Sequence, residues 1–229
     1  MKSPLVTEAL FHLGPLPVSS AVAGTWAIMA ALVAGSIALS RRLSLIPSAT
    51  QAFCELVVES VDGQIRDTMR ADPGRYRAFI GGLFLFILAA NWSGLLPGVE
   101  PPTAHLETDA ALAFLVFLAV IWFGVRAGGW RGYLATFAAP SPLMIPLNFV
   151  ETLTRTFSLL VRLFGNVMSG VFVIGIVLSL AGLLVPIPLM ALHMLTGAVQ
   201  AYIFAVLAMV FIAEGLEPRA PGKPERERP

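Results

Sequence analysis

Residues 148–184 read NFVETLTRTFSLLVRLFGNVMSGVFVIGIVLSLAGLL. About 20 apolar residues suffice to cross a bilayer, and this run exceeds that length while carrying Glu151, Arg155, Arg162 and Asn166 inside it. Counted from Glu151 the offsets are 4, 11 and 15, which at 3.6 residues per turn fall near one helical face. The opposite face is apolar. An arginine at the centre of a membrane helix costs about 2.5–3.5 kcal/mol on insertion scales, and a chain that retains one faces it to water or to a partner charge. The stretch therefore predicts a membrane helix with a polar stripe and an arginine near its middle.

A second apolar run, residues 188–214, follows across the uncharged turn Val185-Pro-Ile-Pro188. It carries His193 and Gln200, seven residues and so two turns apart, on one face. In an antiparallel hairpin His193 falls near the outer end and Gln200 near mid-membrane, at a depth similar to Arg162. Two facing polar stripes in lipid predict a hydrated path. Simpler roles compete residue by residue. Arg155 can snorkel to an interface, whereas Arg162 is too deep. Glu151 can pair with Arg155 one turn away. His193 can be a packing residue, and Gln200 an interhelical hydrogen bond.

Three further spans precede this hairpin. Residues 19–40 are uncharged and end at Arg41-Arg42; residues 78–99 are uncharged; residues 110–125 are followed by Arg126 and Arg131. Residues 48–69 differ. Phe53, Leu56, Val57, Val61 and Ile65 recur every three or four positions against Glu55, Glu59, Asp62, Arg66 and Asp67, the pattern of an amphipathic helix lying at the interface. Pro140, Pro142 and Pro146 interrupt residues 132–150 and predict a re-entrant or tilted segment there. Of 15 Lys and Arg, 12 fall on one side of the bilayer in this scheme, which the cytoplasmic charge bias makes the inside. The N-terminus is then outside and the C-terminus cytoplasmic. The expected fold is an all-α polytopic membrane protein, with about five membrane helices, an amphipathic interfacial helix and a long tilted helix hairpin at the C-terminal end. The chain divides into an outer N-terminal segment, 1–18, a single integral membrane domain, 19–216, and a Pro-rich tail of mixed charge, 217–229, expected to be disordered.

Composition excludes a soluble enzyme. The 229 residues are 57% hydrophobic and 13% charged, against about 25% charged in soluble domains, and the mean hydropathy is +0.81. Cys54 is the only cysteine, so neither an intrachain disulfide nor a cysteine metal site is expected. Residues 1–16 carry Lys2, Glu8, His12 and two prolines and do not read as a cleaved signal. There is no G-x-x-x-x-G-K-[ST] loop for nucleotide phosphates and no inverted repeat of the transporter kind. No cofactor, metal or nucleic acid is expected.

Arg162-Leu-Phe-Gly-Asn166, preceded by Ser158-Leu-Leu-Val, resembles the S-L-x-L-R-L-F-G-N signature of the a subunits of rotary F-type ATP synthases. Other matches occur in order from about Ile46 to Ala213. Asn91 to Pro97 is similar to an N-x-x-x-L-L-P span end. Pro102-Thr-Ala-His-Leu-Glu-Thr108 is similar to the outer loop P-T-A-D-x-N-x-T, and Gln200-Ala-Tyr-Ile-Phe204 to Q-A-x-I-F. The resemblance implies a stator subunit of a bacterial inner membrane complex, beside a rotating ring of c subunits and b-type peripheral stalk subunits. Two half-channels would carry H+ or Na+ to a carboxylate on each ring subunit. Arg162 stands at the position of the family's essential arginine. A guanidinium stays protonated at any relevant pH, so it always favours the ionised ring carboxylate. By the same resemblance Asn166, His193 and Gln200 line the outer half-channel, Glu151 and Ser158 belong to the inner one, and Arg155 lies on the ion pathway. His105, Glu107 and Asp109 would draw cations to the outer mouth.

Departures from the family pattern are specific. The acid of G-N-x-x-A-G-E is Val171 here, the acid of N-x-x-D-L-L-P is Gly94, His105 and Glu107 replace Asp and Asn, and Thr156 replaces a proline. These point to a divergent branch, of the N-type ATPase kind. The alternative to a stator is a stand-alone secondary ion transporter, with Glu151, Arg155, Arg162 and His193 as its own binding site.

Overall fold

The computed structural model describes residues 9–13, 16–41, 48–95, 101–138, 145–182 and 185–216. The architecture is helical, as the sequence predicts, with one small addition. Strands β1 (Ala9–Leu13) and β2 (Leu16–Ser19) pair antiparallel ahead of the first helix. This ribbon was not legible in the sequence, since His12 and Pro17 interrupt any run of β-formers.

Six α-helices follow among the described residues: α1 (Ser20–Ser40), α2 (Ala49–Met69), α3 (Arg77–Ser93), α4 (Leu106–Ala138), α5 (Ile145–Ala181) and α6 (Pro186–Leu216). Four of them, α1, α4, α5 and α6, are long and apolar enough to cross a membrane. The 17-residue α3 is apolar but shorter, about 25 Å at 1.5 Å per residue. The readings for residues 1–8, 96–100 and the 217–229 tail lie outside the described residues.

Local chemistry sets the helix ends. Ser19 and Ser48 cap α1 and α2, their hydroxyls accepting from Val22 N and Gln51 N at 3.4 Å. Pro146 and Pro186 sit in the first turns of α5 and α6, where a missing N–H leaves no bond unmade. The helix after the proline cluster therefore begins at Ile145, slightly earlier than residue 148; Pro140 and Pro142 lie outside the described residues. Gly182, at φ +73°, stops α5 in the left-handed region. Gly129, at φ +69°, breaks α4 into two helices, so that Tyr133 returns to pack on Gly124, where an added Cβ would sit 2.6 Å from the ring.

The core gathers at the centre of α3–α6. Buried Ile80, Leu83 and Ile87 of α3, Val116 of α4, Leu159, Leu163 and Val167 of α5, and Phe204, Ala208 and Ile212 of α6 form one cluster. The helix α2 joins it through Ile65 and Met69 and through Tyr202 Oη, which donates to Gln64 Oε1 at 3.1 Å. One expectation for α2 needs correction. Asp62 is not on a solvated face; it is buried and ion-paired with Arg77 at the start of α3, with Arg77 Nε donating to Oδ1 at 2.6 Å. The exposed large apolar residues of α2 are instead Phe53, Leu56 and Val58.

Contacts at two levels fix the direction of the helices. Gly215 of α6 lies against Val120 of α4, while Thr103, just ahead of α4, is tied through Asn91 to Gly197 of α6, so these helices run parallel. Arg155 near the start of α5 meets Glu214 near the end of α6, and Gly170 further along α5 meets His193 nearer the start of α6, so α5 runs antiparallel to both.

Candidate functional site

Arg162 lies near the midpoint of the 37-residue α5. Leu159, Leu163 and Val167 form the buried edge of that helix, one turn apart, and Arg162 lies exposed on its flank, at the border of the open side that carries Ser158, Val161, Gly165 and Ser169. Among the described residues no hydrogen bond or ion pair reaches its guanidinium. Its surroundings on the same surface are apolar, with Phe157, Val161 and Phe172 exposed.

The stripe read from residues 151–166 divides in the structure. Arg155 pairs with Glu151 on its own helix and with Glu214 across on α6, and stacks over Phe211 at 5.4 Å. It forms a clasp rather than a free charge, and the i, i+4 pairing of Glu151 accounts for that carboxylate. Asn166 faces inward and is half-buried, and its Nδ2 has no partner.

Gln200 lies near the midpoint of the 31-residue α6, is 7% exposed, and its Nε2 is likewise without a partner. From His193 to Glu214, Gln200 is about one third of the way, and the corresponding third of α5 from Gly170 to Arg155 ends near Gly165 and Asn166. Gln200 is thus closer in depth to Asn166 than to Arg162. His193, half-buried, packs onto α5 at Gly170, where any Cβ would collide with its imidazole.

Asn91 was read only as part of a motif, yet it ties three elements together. Its Nδ2 donates to Gly197 O of α6 at 2.9 Å, and its Oδ1 accepts from Thr103 Oγ1 at 2.8 Å. Trp92 Nε1 adds a bond to Met194 O at 3.2 Å. The outer loop therefore rests on the same stretch of α6 that carries His193 and Gln200.

The acids of that loop separate. Glu107 is exposed and His105 half-exposed. Asp109 is not at an open mouth: it is fully buried in the first turn of α4, and neither carboxylate oxygen has a partner. The sequence missed this because the helix begins at Leu106, which turns Asp109 onto the packed stripe with Leu112, Ala113 and Val116. No cluster of three His, Cys, Asp or Glu suited to a metal occurs among the described residues.

Comparison with known proteins decides the family. A family model described as ATP synthase A chain matches residues 22–213. The chain belongs to the ATP synthase A chain family. It is similar to "ATP synthase subunit a 2" of Bradyrhizobium sp. strain BTAi1, 54% identical over 220 residues, covering 96% of this chain and 99% of that one. It is also similar to "ATP synthase subunit a" of Albidiferax ferrireducens, 44% identical over 214 residues, 93% of this chain and 92% of the relative. The protein of that name in Legionella pneumophila is 40% identical over 208 residues, 90% of each chain. As an ATP synthase A chain, this protein is a non-catalytic, multi-pass membrane subunit.

Within this A chain, sequence reasoning gave no role to Glu214 or Gly170, and took Thr103 only as part of a motif. The missed signal for Glu214 was charge balance. Arg155 lies within an apolar run and Glu214 closes one, and such charges pair where geometry allows.

Proposed function

We propose that this A chain is the stator ion channel of a rotary ATP synthase in a bacterial inner membrane, with its N-terminus outside and its C-terminus cytoplasmic. Its partners are a ring of c subunits and b-type peripheral stalk subunits. Residues 19–216 act as one membrane domain. Arg162 meets each ring carboxylate as the ring turns and holds it ionised, so that its ion is released there. Asn166, His193 and Gln200 lead ions from the outer side, and Ser158 with the Glu151–Arg155 pair lies on the inner path. The translocated ion is the proton. The buried unpartnered atoms are two carboxylate oxygens and two amide nitrogens; the amide N–H groups donate to water and offer nothing to a bare sodium ion.

One observation carries this reading: an exposed guanidinium at mid-helix, amid apolar side chains, with no counter-charge among the described residues of its own chain. A lone arginine facing lipid is expensive, so a partner must supply the carboxylate. A stand-alone transporter built on Glu151, Arg155, Arg162 and His193 fits poorly, because the Glu151 and Arg155 charges are already satisfied by each other and by Glu214.

Cross-linking tests the interface. In assembled complexes lacking Cys54, Ser158→Cys and Gly165→Cys flank Arg162 on the exposed face and should form disulfides with cysteines placed beside the ring carboxylate. Leu163→Cys and Val167→Cys face the core and should not. The reverse pattern contradicts the proposal.

A further inference from the structure

Four buried polar side-chain atoms stand without a partner among the described residues: Asp109 Oδ1 and Oδ2, Asn166 Nδ2 and Gln200 Nε2. Two are acceptors and two are donors. Native interiors pair nearly all such groups, and each exception calls for an explanation.

Their positions in the bundle are related. Val120 of α4 and Arg155 of α5 both contact the C-terminal end of α6, at Gly215 and Glu214. Asp109 lies eleven residues before Val120 and Asn166 eleven residues after Arg155, so each is about 16 Å up its helix from that common end. Gln200 is fourteen residues from Glu214, about one turn further. Asp109 also opens the stripe Asp109, Leu112, Ala113, Val116, Ala119, Val120, a buried face of the α4 span. Hence its carboxyl is directed to the interior of the bundle, not to the outer water.

We infer that Asp109 is the acidic relay of the outer ion path, joined through water to the Asn166 and Gln200 amides. This rests on the stator reading above and replaces the role of drawing cations to the outer mouth, which the resemblance implied for Asp109. The chain carries Val171 where an acid was expected, and Val171 is exposed away from the core; Asp109 supplies a carboxylate from a different helix at the depth of the amides. The step is a simple transfer. A hydronium on the outer side breaks one O–H bond as a new one forms to Asp109 Oδ, leaving water. The Asp109 O–H then breaks as a water beside Asn166 and Gln200 takes the proton inward. The amides orient that water and carry no charge themselves.

The test uses the complete ATP synthase in inverted membrane vesicles, with ATP-driven acidification as the readout. Asp109→Asn keeps the size but can neither take up nor give up a proton, and should lower pumping by roughly tenfold or more, with subunit content and detached ATPase activity unchanged; Asp109→Glu should restore it. Unchanged pumping in Asp109→Asn overturns the relay, since a carboxyl that only fills its site is well replaced by the amide. If Asp109→Asn prevents assembly, the unmodified complex is treated with an apolar carbodiimide. Labelling of the Asp109 peptide supports the relay, and an unlabelled peptide beside labelled ring carboxylates overturns it. An Arg162→Ala complex separates the two claims: normal pumping there sinks the stator reading itself, whereas loss there with normal pumping in Asp109→Asn sinks only the relay.

Discussion

The His193 imidazole on α6 occupies the space that any side chain at Gly170 on α5 would fill. The two helices approach there because one of them has no Cβ, and the approach sets the half-buried imidazole beside the turn that bears Asn166. Gly170→Ala should therefore disturb His193 directly. Overpacking a tight contact costs about 1–3 kcal/mol, so complexes with Gly170→Ala should show reduced thermal stability in detergent and slowed pumping. Pairing it with His193→Ala removes the clash, and stability should recover while transport stays slow.

The Arg155 clasp holds α5 to α6 at the other end. Glu214 is half-exposed, so its single removal by Glu214→Gln should cost only about 1 kcal/mol. Exchanging the charges, Arg155→Glu with Glu214→Arg, should regain part of that loss. A double-mutant cycle on thermal stability measures it, and additivity of the two single changes would show that the pair contributes nothing.

Asn91 is 3% exposed and satisfies both Gly197 O and Thr103 Oγ1. Asn91→Leu keeps the volume but orphans both groups, each costing about 1–3 kcal/mol when buried. The expected result is poor accumulation of the subunit in membranes, read by immunoblot, with Asn91→Ser milder than Asn91→Leu.

Acid should loosen α2 from α3. The hydrogen bond from Arg77 holds the Asp62 carboxyl below the ordinary carboxylate range, with the nearby charges of Arg77 and Arg66 acting the same way against burial. A depressed value means the contribution is complete above the ordinary carboxylate pKa and is lost as pH falls through the lowered folded value. Hydrogen exchange in α2 should rise only in that acid window, and Asp62→Asn should remove the dependence.

Much of this fold could be read from the chain because membrane spans announce themselves. Long uncharged runs, arginines at their ends and prolines between them place α1 and the hairpin α5–α6 within a few residues. The helical period also put Arg162 and Asn166 near one stripe, and there the reading stopped short. Sequence spacing gives the face of a helix but not which neighbour covers it, so it could not tell that Arg162 would face outward while Asn166 turned in. The same limit hid Glu214, which is silent until α6 lies beside Arg155. Asp109 was misplaced for a smaller reason: a helix start shifted by four residues carries an acid from an open loop to a packed interface.

The central claim is that an unpaired guanidinium at mid-membrane governs ion release from a partner ring. Its most direct test is ATP-driven proton pumping by complexes bearing Arg162→Ala, measured by dye quenching in inverted vesicles alongside subunit content. The account predicts that pumping is abolished in fully assembled complexes and that Arg162→Lys restores little of it, because a lysine can shed its proton when desolvated. Pumping at the unmodified rate in an assembled Arg162→Ala complex would contradict it.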